Sequence, residues 1–136
     1  MAYQIPDKTP TRQGRVLVAD DHFEMRQNVT RLLRLEGFEV FSASNGRLAL
    51  ESIQKDGPFK LVLLDINMPE MDGLTVLENL RAQDKTSRLP VILITGEADA
   101  NSIARGRALG AQDYLCKPYK IAELMTRIDR CLLACT

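Results

Sequence analysis

The chain has no excess charge of either sign, only one histidine, few cysteines and no long apolar run. Each shortage closes off a class of function. Lysine plus arginine number 18 and aspartate plus glutamate 18 among 136 residues. With no net charge, no global field draws the chain toward nucleic acid or a membrane, so function must rest on a local site. Cys116, Cys131 and Cys135 form neither a disulfide framework nor a zinc-ligand pattern; Cys131 and Cys135 lie one helical turn apart, but no second pair or histidine accompanies them. They read as small packing residues in a reducing compartment. No stretch approaches the roughly 20 apolar residues of a membrane span, and the first residues lack a signal-peptide core. The cytoplasm is therefore the expected location.

What is present is a regular alternation. Residues 1–14, with two prolines and no periodicity, read as a flexible lead-in to one domain over 15–134. Strand candidates are "RVLVA" (15–19), "FEVFSA" (38–43), "LVLL" (61–64), "VILIT" (91–95) and "DYLC" (113–116). The first, third and fourth are almost continuously apolar, as central parallel strands covered on both faces should be; the second alternates, which suits an edge. Between them run helical stripes: Met25, Val29, Leu32 and Leu33 before Gly37; Leu50 and Ile53 before Gly57-Pro58; Leu74, Leu77 and Leu80; Ile103 and Leu109 before Gly110; and Ile121, Leu124, Met125, Ile128 and Leu132. This pattern predicts an α/β fold, a doubly wound five-stranded parallel sheet with helices on both faces. In such folds ligands bind at the carboxyl ends of the strands.

Those ends carry a concentration of polar groups. The first strand runs into Asp20 and Asp21, the third into Asp65 with Asn67 two residues on, the fourth into Thr95, Gly96 and Glu97, and the fifth into Cys116 and Lys117-Pro118. Singly each has an ordinary explanation: Asp20 and Asp21 as helix caps, Asp65 in a turn, Thr95 satisfying a loop, Lys117 as a solvated charge. Together they do not, because three carboxylates at one rim repel and must be held by something positive. A hard divalent cation fits. Magnesium would take side chains of two or three of Asp20, Asp21 and Asp65 and a backbone carbonyl from the loop, and the near-absence of histidine and cysteine argues against zinc or copper. Asp65 would then face metal on one side, Lys117 on another and the Thr95 hydroxyl on a third, an arrangement suited to phosphoryl transfer. His22 reads as a helix-start residue rather than a phosphodonor or ligand.

The motifs "VLVADD" (16–21), "LVLLDINMPEMDG" (61–73), "VILITGE" (91–97) and "DYLCKP" (113–118) resemble, in order and spacing, the receiver domain of bacterial two-component response regulators over roughly residues 14–133. The resemblance implies a flavodoxin-like strand order 2-1-3-4-5. It also implies a phosphorylation-dependent signalling switch. Asp65 would be the phosphoacceptor, taking the phosphoryl group from a sensor histidine kinase or histidine phosphotransfer protein. Asp20 and Asp21 would hold Mg2+, with the Asn67 backbone carbonyl as a further ligand. Thr95 would be the switch hydroxyl, Lys117 the phosphate-binding lysine in a cis peptide with Pro118, and Tyr114 the aromatic switch. Asn67 and Glu97 would tune dephosphorylation, and the face of the fourth helix, fifth strand and fifth helix would report the change to partners.

Two other readings compete. A magnesium-dependent phosphatase using Asp65 as nucleophile needs a general acid two residues on, where Asn67 stands, and an amide cannot supply a proton. A receiver-shaped scaffold without phosphorylation would lack part of the acidic set or the lysine, and nothing is missing. The output stays open between a stand-alone receiver and the receiver portion of a larger regulator or hybrid kinase. Direct nucleic-acid binding is not expected. Leu133 lies off the stripe of the last helix, which leaves a frayed end, a phosphorylation-linked dimer contact and a truncated linker as alternatives.

Overall fold

The computed structural model describes residues 13–96 and 99–134. The expected lead-in therefore lies almost wholly outside the described residues, as do Glu97 and Cys135. The elements alternate strictly: β1 (Arg15–Ala19), α1 (Phe23–Leu35), β2 (Glu39–Ala43), α2 (Gly46–Asp56), β3 (Leu61–Asp65), α3 (Gly73–Arg81), β4 (Val91–Thr95), α4 (Ala100–Ala108), β5 (Asp113–Cys116) and α5 (Ile121–Ala134). All strand pairs are parallel and the sheet order is β2-β1-β3-β4-β5. The fold class and strand order are as expected.

Strand periodicity divides the core in two. Leu17, Ala19, Val62, Leu64 and Leu93 face a layer built from Ala49 and Ile53 of α2 and Leu74, Val76, Leu77 and Leu80 of α3, with Leu109 beyond α4 packed at its margin. Their neighbours Val16, Val18, Leu61, Leu63, Ile92 and Ile94 point the other way, onto Val29 and Leu33 of α1 and Leu124, Ile128, Cys131 and Leu132 of α5. β3 and β4 are buried along their whole length, whereas β2 alternates and lies at an edge. That is why the central strands read as unbroken apolar runs.

The helical stripes needed small corrections. In α1, Leu32 is only half-buried and Thr30 takes the inward position. Ala49 rather than Leu50 is buried in α2. In α5 Ile121, the first residue of the helix, is exposed, and Cys131 completes the inward stripe. Leu133 is exposed, as its position off the stripe implied. Cys116 is also exposed, so of the two described cysteines only Cys131 fits the reading as a packing residue. Phe38 is buried but precedes β2, which begins at Glu39. β3 extends through Asp65, which places that carboxylate on the strand rather than after it.

At the amino-terminal edge of the sheet, Arg81 closes α3 onto its neighbours. Its guanidinium donates to the carbonyls of Leu109 (2.7 Å), Thr86 (3.0 Å) and Gly110 (3.1 Å). At the opposite edge the loop after β3 folds back tightly. The Gly73 N–H donates to the Ile66 carbonyl at 2.8 Å. A Cβ on Gly73 would lie 2.2 Å from the Asp65 carbonyl oxygen, backbone that cannot swing aside. Gly73→Ala should therefore cost about 1–3 kcal/mol by overpacking. Gly96→Ala, where nothing lies within 4 Å, should stay within about 0.5 kcal/mol of the parent. Urea unfolding of both variants checks the pair, and equal losses would contradict this account of the loop.

Candidate functional site

Parallel register brings the ends of β1, β3, β4 and β5 to one rim. Asp20, Asp65 and Thr95 are buried there, while Asp21 and Asn67 are exposed and Lys117 is half-buried. A short polar loop after a fully apolar strand thus delivers a carboxylate into a dry setting. The local fold holds each group by its backbone. The Asp20 N–H donates to the Ala43 carbonyl at 3.1 Å, and the Lys117 N–H donates to the Thr95 carbonyl at 2.7 Å. The Lys117-Pro118 peptide is cis, as expected; a second cis bond, Gly57-Pro58, was not foreseen.

The side chains meet through Lys117. Its Nζ lies 2.7 Å from Asp65 Oδ2 and 3.3 Å from Asp20 Oδ2. Asp65 Oδ1 accepts the Asn67 N–H at 3.0 Å, and Asp20 Oδ1 accepts the His22 N–H at 2.9 Å. One carboxylate oxygen from each of Asp20, Asp21 and Asp65 lies within 4.8 Å of the other two. Three carboxylates against one ammonium leave a formal deficit of two positive charges, and every available donor is a hard oxygen. The residues therefore fit a divalent cation of magnesium type better than a soft metal.

Electrostatics at the rim follow burial first. Desolvation pushes the Asp65 carboxyl above its ordinary value; Lys117 opposes this, and the nearby Asp20 charge adds to it. Burial alone would lower the Lys117 ammonium, but Asp65 and then Asp20 outweigh it and the net direction is upward, so the lysine stays charged. Tyr119 has a buried hydroxyl without a hydrogen-bond partner among the described residues; burial and the Asp20 charge hold it above the usual phenol range. It remains a protonated phenol at neutral pH.

His22 caps α1, its Nδ1 accepting the Met25 N–H at 3.3 Å. The cap is thus the histidine, not Asp20 or Asp21, and both carboxylates are left for the rim. Tyr114 is half-buried on β5; the Arg107 guanidinium sits 5.3 Å from its ring centroid and donates to its hydroxyl at 3.2 Å. Two residues that sequence reasoning missed now belong to the description. Arg26 donates to the Asp20 backbone carbonyl at 2.8 Å, fixing the strand end behind the acidic pair. Arg107 fastens Tyr114 to α4. The only sequence signal for either was an arginine on the polar side of a short helix. Glu97 lies outside the described residues.

Comparison with known proteins identifies the family and the fold. Residues 16–129 match the response regulator receiver domain. The transcriptional regulatory protein PrrA of Mycobacterium tuberculosis is 42% identical over 124 residues, covering 91% of this chain and 52% of PrrA. The chemotaxis protein CheY-3 of Vibrio cholerae is 38% identical over 117 residues, covering 85% of this chain and 89% of that protein. Among solved structures, the receiver domain of a sensor histidine kinase from Pseudomonas aeruginosa, with a magnesium ion coordinated in its active-site cleft, superposes with a TM-score of 0.79. It is 28% identical, and the match covers 88% of this chain and 98% of that one. The chain spans about half the length of the first curated relatives it matches.

A carboxyl whose folded value is raised contributes stability below its ordinary value and loses it as pH rises through the raised one, so ionisation of Asp65 destabilises the fold. Asp65→Asn should consequently raise Tm in magnesium-free buffer. The parent, but not this variant, should gain about 1.4 kcal/mol from magnesium at tenfold excess over Kd. Thermal melts with EDTA and with magnesium check both, and an equal magnesium response in the two proteins would contradict the shared-cation site.

Proposed function

The chain belongs to the response regulator receiver family, whose members act as signalling switches rather than metabolic enzymes, and on that premise we propose that it is a Mg2+-dependent switch phosphorylated on Asp65. The observation that carries the proposal is the Lys117 ammonium bridging Asp65 and Asp20 beside a third carboxylate. A carboxylate oxygen of Asp65 attacks the phosphorus of a phosphohistidine on a sensor histidine kinase or histidine phosphotransfer protein. An O–P bond forms and the P–N bond breaks, the electron pair going to the imidazole nitrogen, which is protonated from solvent. Magnesium, held by Asp20, Asp21, Asp65 and the Asn67 carbonyl, would neutralise charge on the phosphoryl oxygens when bound. Lys117 then turns from the carboxylate to a phosphoryl oxygen, and the Thr95 hydroxyl donates to another.

The switch follows from space and partners. Thr95 lies at the end of β4, and Tyr114 is paired in the sheet with Leu93 two residues before it. As Thr95 moves toward the phosphoryl group, Tyr114 rotates inward and gives up its hydrogen bond to Arg107. The α4–β5–α5 face then presents a different surface to its partner. Asn67 and Glu97 set the lifetime of the acyl phosphate by shaping water access.

The expected cytoplasmic setting, the domain bounds 15–134 and a phosphorylation-linked dimer belong to the same proposal. CheY-3 is matched along most of its length and PrrA along about half, so both a stand-alone receiver and the receiver portion of a larger regulator are open to this chain. The output partner follows from which of these holds.

Incubation with acetyl phosphate and magnesium should add one phosphoryl group, located by mass spectrometry of tryptic peptides to Asp65. Asp65→Asn should take up none. Lys117→Ala should still be labelled but lose most of the accompanying change in the α4–β5–α5 amide resonances. Labelling of a different residue in the parent would overturn the assignment. Asn67→Ala should alter the rate of dephosphorylation by about tenfold or less, the usual scale for a residue that positions water without transferring its proton.

A further inference from the structure

Beside the β2 edge of the sheet, α1 and β2 line a cavity of about 520 Å3 that the proposed switch does not use. Arg26, Thr30, Arg31, Arg34 and Leu35 of α1 line it, with Ser42 of β2 opposite, and none of the lining side chains is acidic. Arg26 and Arg34 each commit one guanidinium nitrogen to a backbone carbonyl, of Asp20 at 2.8 Å and Val40 at 2.9 Å. Those bonds fix both guanidinium groups and leave their remaining N–H donors for something else. The Arg31 guanidinium is exposed and makes no hydrogen bond or ion pair with the described residues.

Among these cations sits Thr30, 8% exposed, whose hydroxyl has no hydrogen-bond partner among the described residues. A threonine in mid-helix ordinarily satisfies its hydroxyl on the carbonyl four residues back. A hydroxyl left buried without a partner destabilises the fold, and valine would fill the same space without that cost. Thr30 lines the same wall as the arginines, and rotation about its Cα–Cβ bond would turn the hydroxyl toward a negatively charged acceptor seated among them.

We propose that the α1–β2 groove is a second ligand site that binds the phosphate of a small phosphorylated molecule. Arg31 and Arg34 supply charge-assisted donors, Thr30 supplies its hydroxyl, and Leu35, 75% exposed at the groove edge, covers part of the ligand body. Arg26, which also holds the Asp20 carbonyl, connects the groove to the acidic rim.

The test is titration of the full chain in magnesium-free buffer with EDTA, using pyrophosphate and a nucleoside diphosphate, followed by amide chemical shifts and calorimetry. Saturable binding with shifts at residues 30, 31, 34 and 42 is expected. Arg31→Gln and Thr30→Val should each weaken it about tenfold, the scale of one lost charge-assisted bond. Lys117→Ala should leave it unchanged. Thr30→Val should at the same time raise Tm of the unliganded protein, which a merely structural threonine with a satisfied hydroxyl would not do. Absence of saturable binding, or binding lost in Lys117→Ala and kept in Arg31→Gln, overturns the proposal; the latter would assign the anion to the rim. Co-sedimentation with phosphatidylglycerol vesicles without binding of either soluble probe would overturn the small-ligand assignment in favour of a lipid headgroup. None of these outcomes depends on phosphorylation of Asp65.

Discussion

The rim is held together by one ammonium group. Lys117 Nζ reaches Asp65 at 2.7 Å and Asp20 at 3.3 Å, and so joins the ends of β5, β3 and β1 across the middle of the sheet. Without that contact two buried carboxylates would face each other across a low-dielectric gap, an arrangement that costs far more than it would in water. With it the site still lacks positive charge. An incomplete neutralisation of this kind favours a further cation. Under the proposed function, these unbalanced charges would be the source of the chemistry rather than a defect of packing.

The two layers of the core serve this arrangement unequally. α1 and α5 press large side chains onto one face of the sheet, and α2 and α3 press onto the other. α4 buries only Gly106, against Leu93. Its lateral ties are polar: Arg105 to Glu78 at 2.7 Å and Arg107 to the Tyr114 hydroxyl at 3.2 Å. Exposed pairs of this type contribute little to stability. The element that would report the switch is therefore the one with least holding it in place.

Sequence legibility followed the same physical division. β3 and β4 were readable because burial on both faces demands an unbroken apolar run, and Asp65 stood out because it ended one. Asp20, Asp21, Thr95 and Lys117 were legible only jointly, through the rule that ligands gather at strand ends. Arg26 and Arg107 were not legible: each acts through a hydrogen bond to a group set by tertiary packing, and nothing local marks such a partner. Thr30 was hidden by the opposite cause, a polar residue occupying a core position beside apolar neighbours. Leu32 failed because Thr30, a polar residue, takes the inward position in its place, and Ile121 because periodicity gives a face but not whether the first residue of a helix is covered.

The three-carbonyl grip of Arg81 has a mechanical meaning. By holding Leu109 and Gly110 it pins the carboxyl-terminal end of α4 at the edge of the sheet remote from the acidic residues. The other end of α4, at Ala100, follows the loop that leaves Thr95. A helix tethered at one end and pushed at the other turns about a fulcrum, so under the proposed switch its travel would be largest near Ala100 and would fall toward zero at Leu109. A displacement at the Thr95 hydroxyl would be converted into tilt, not translation, and a protein docking along α4 would sense it as a change of angle.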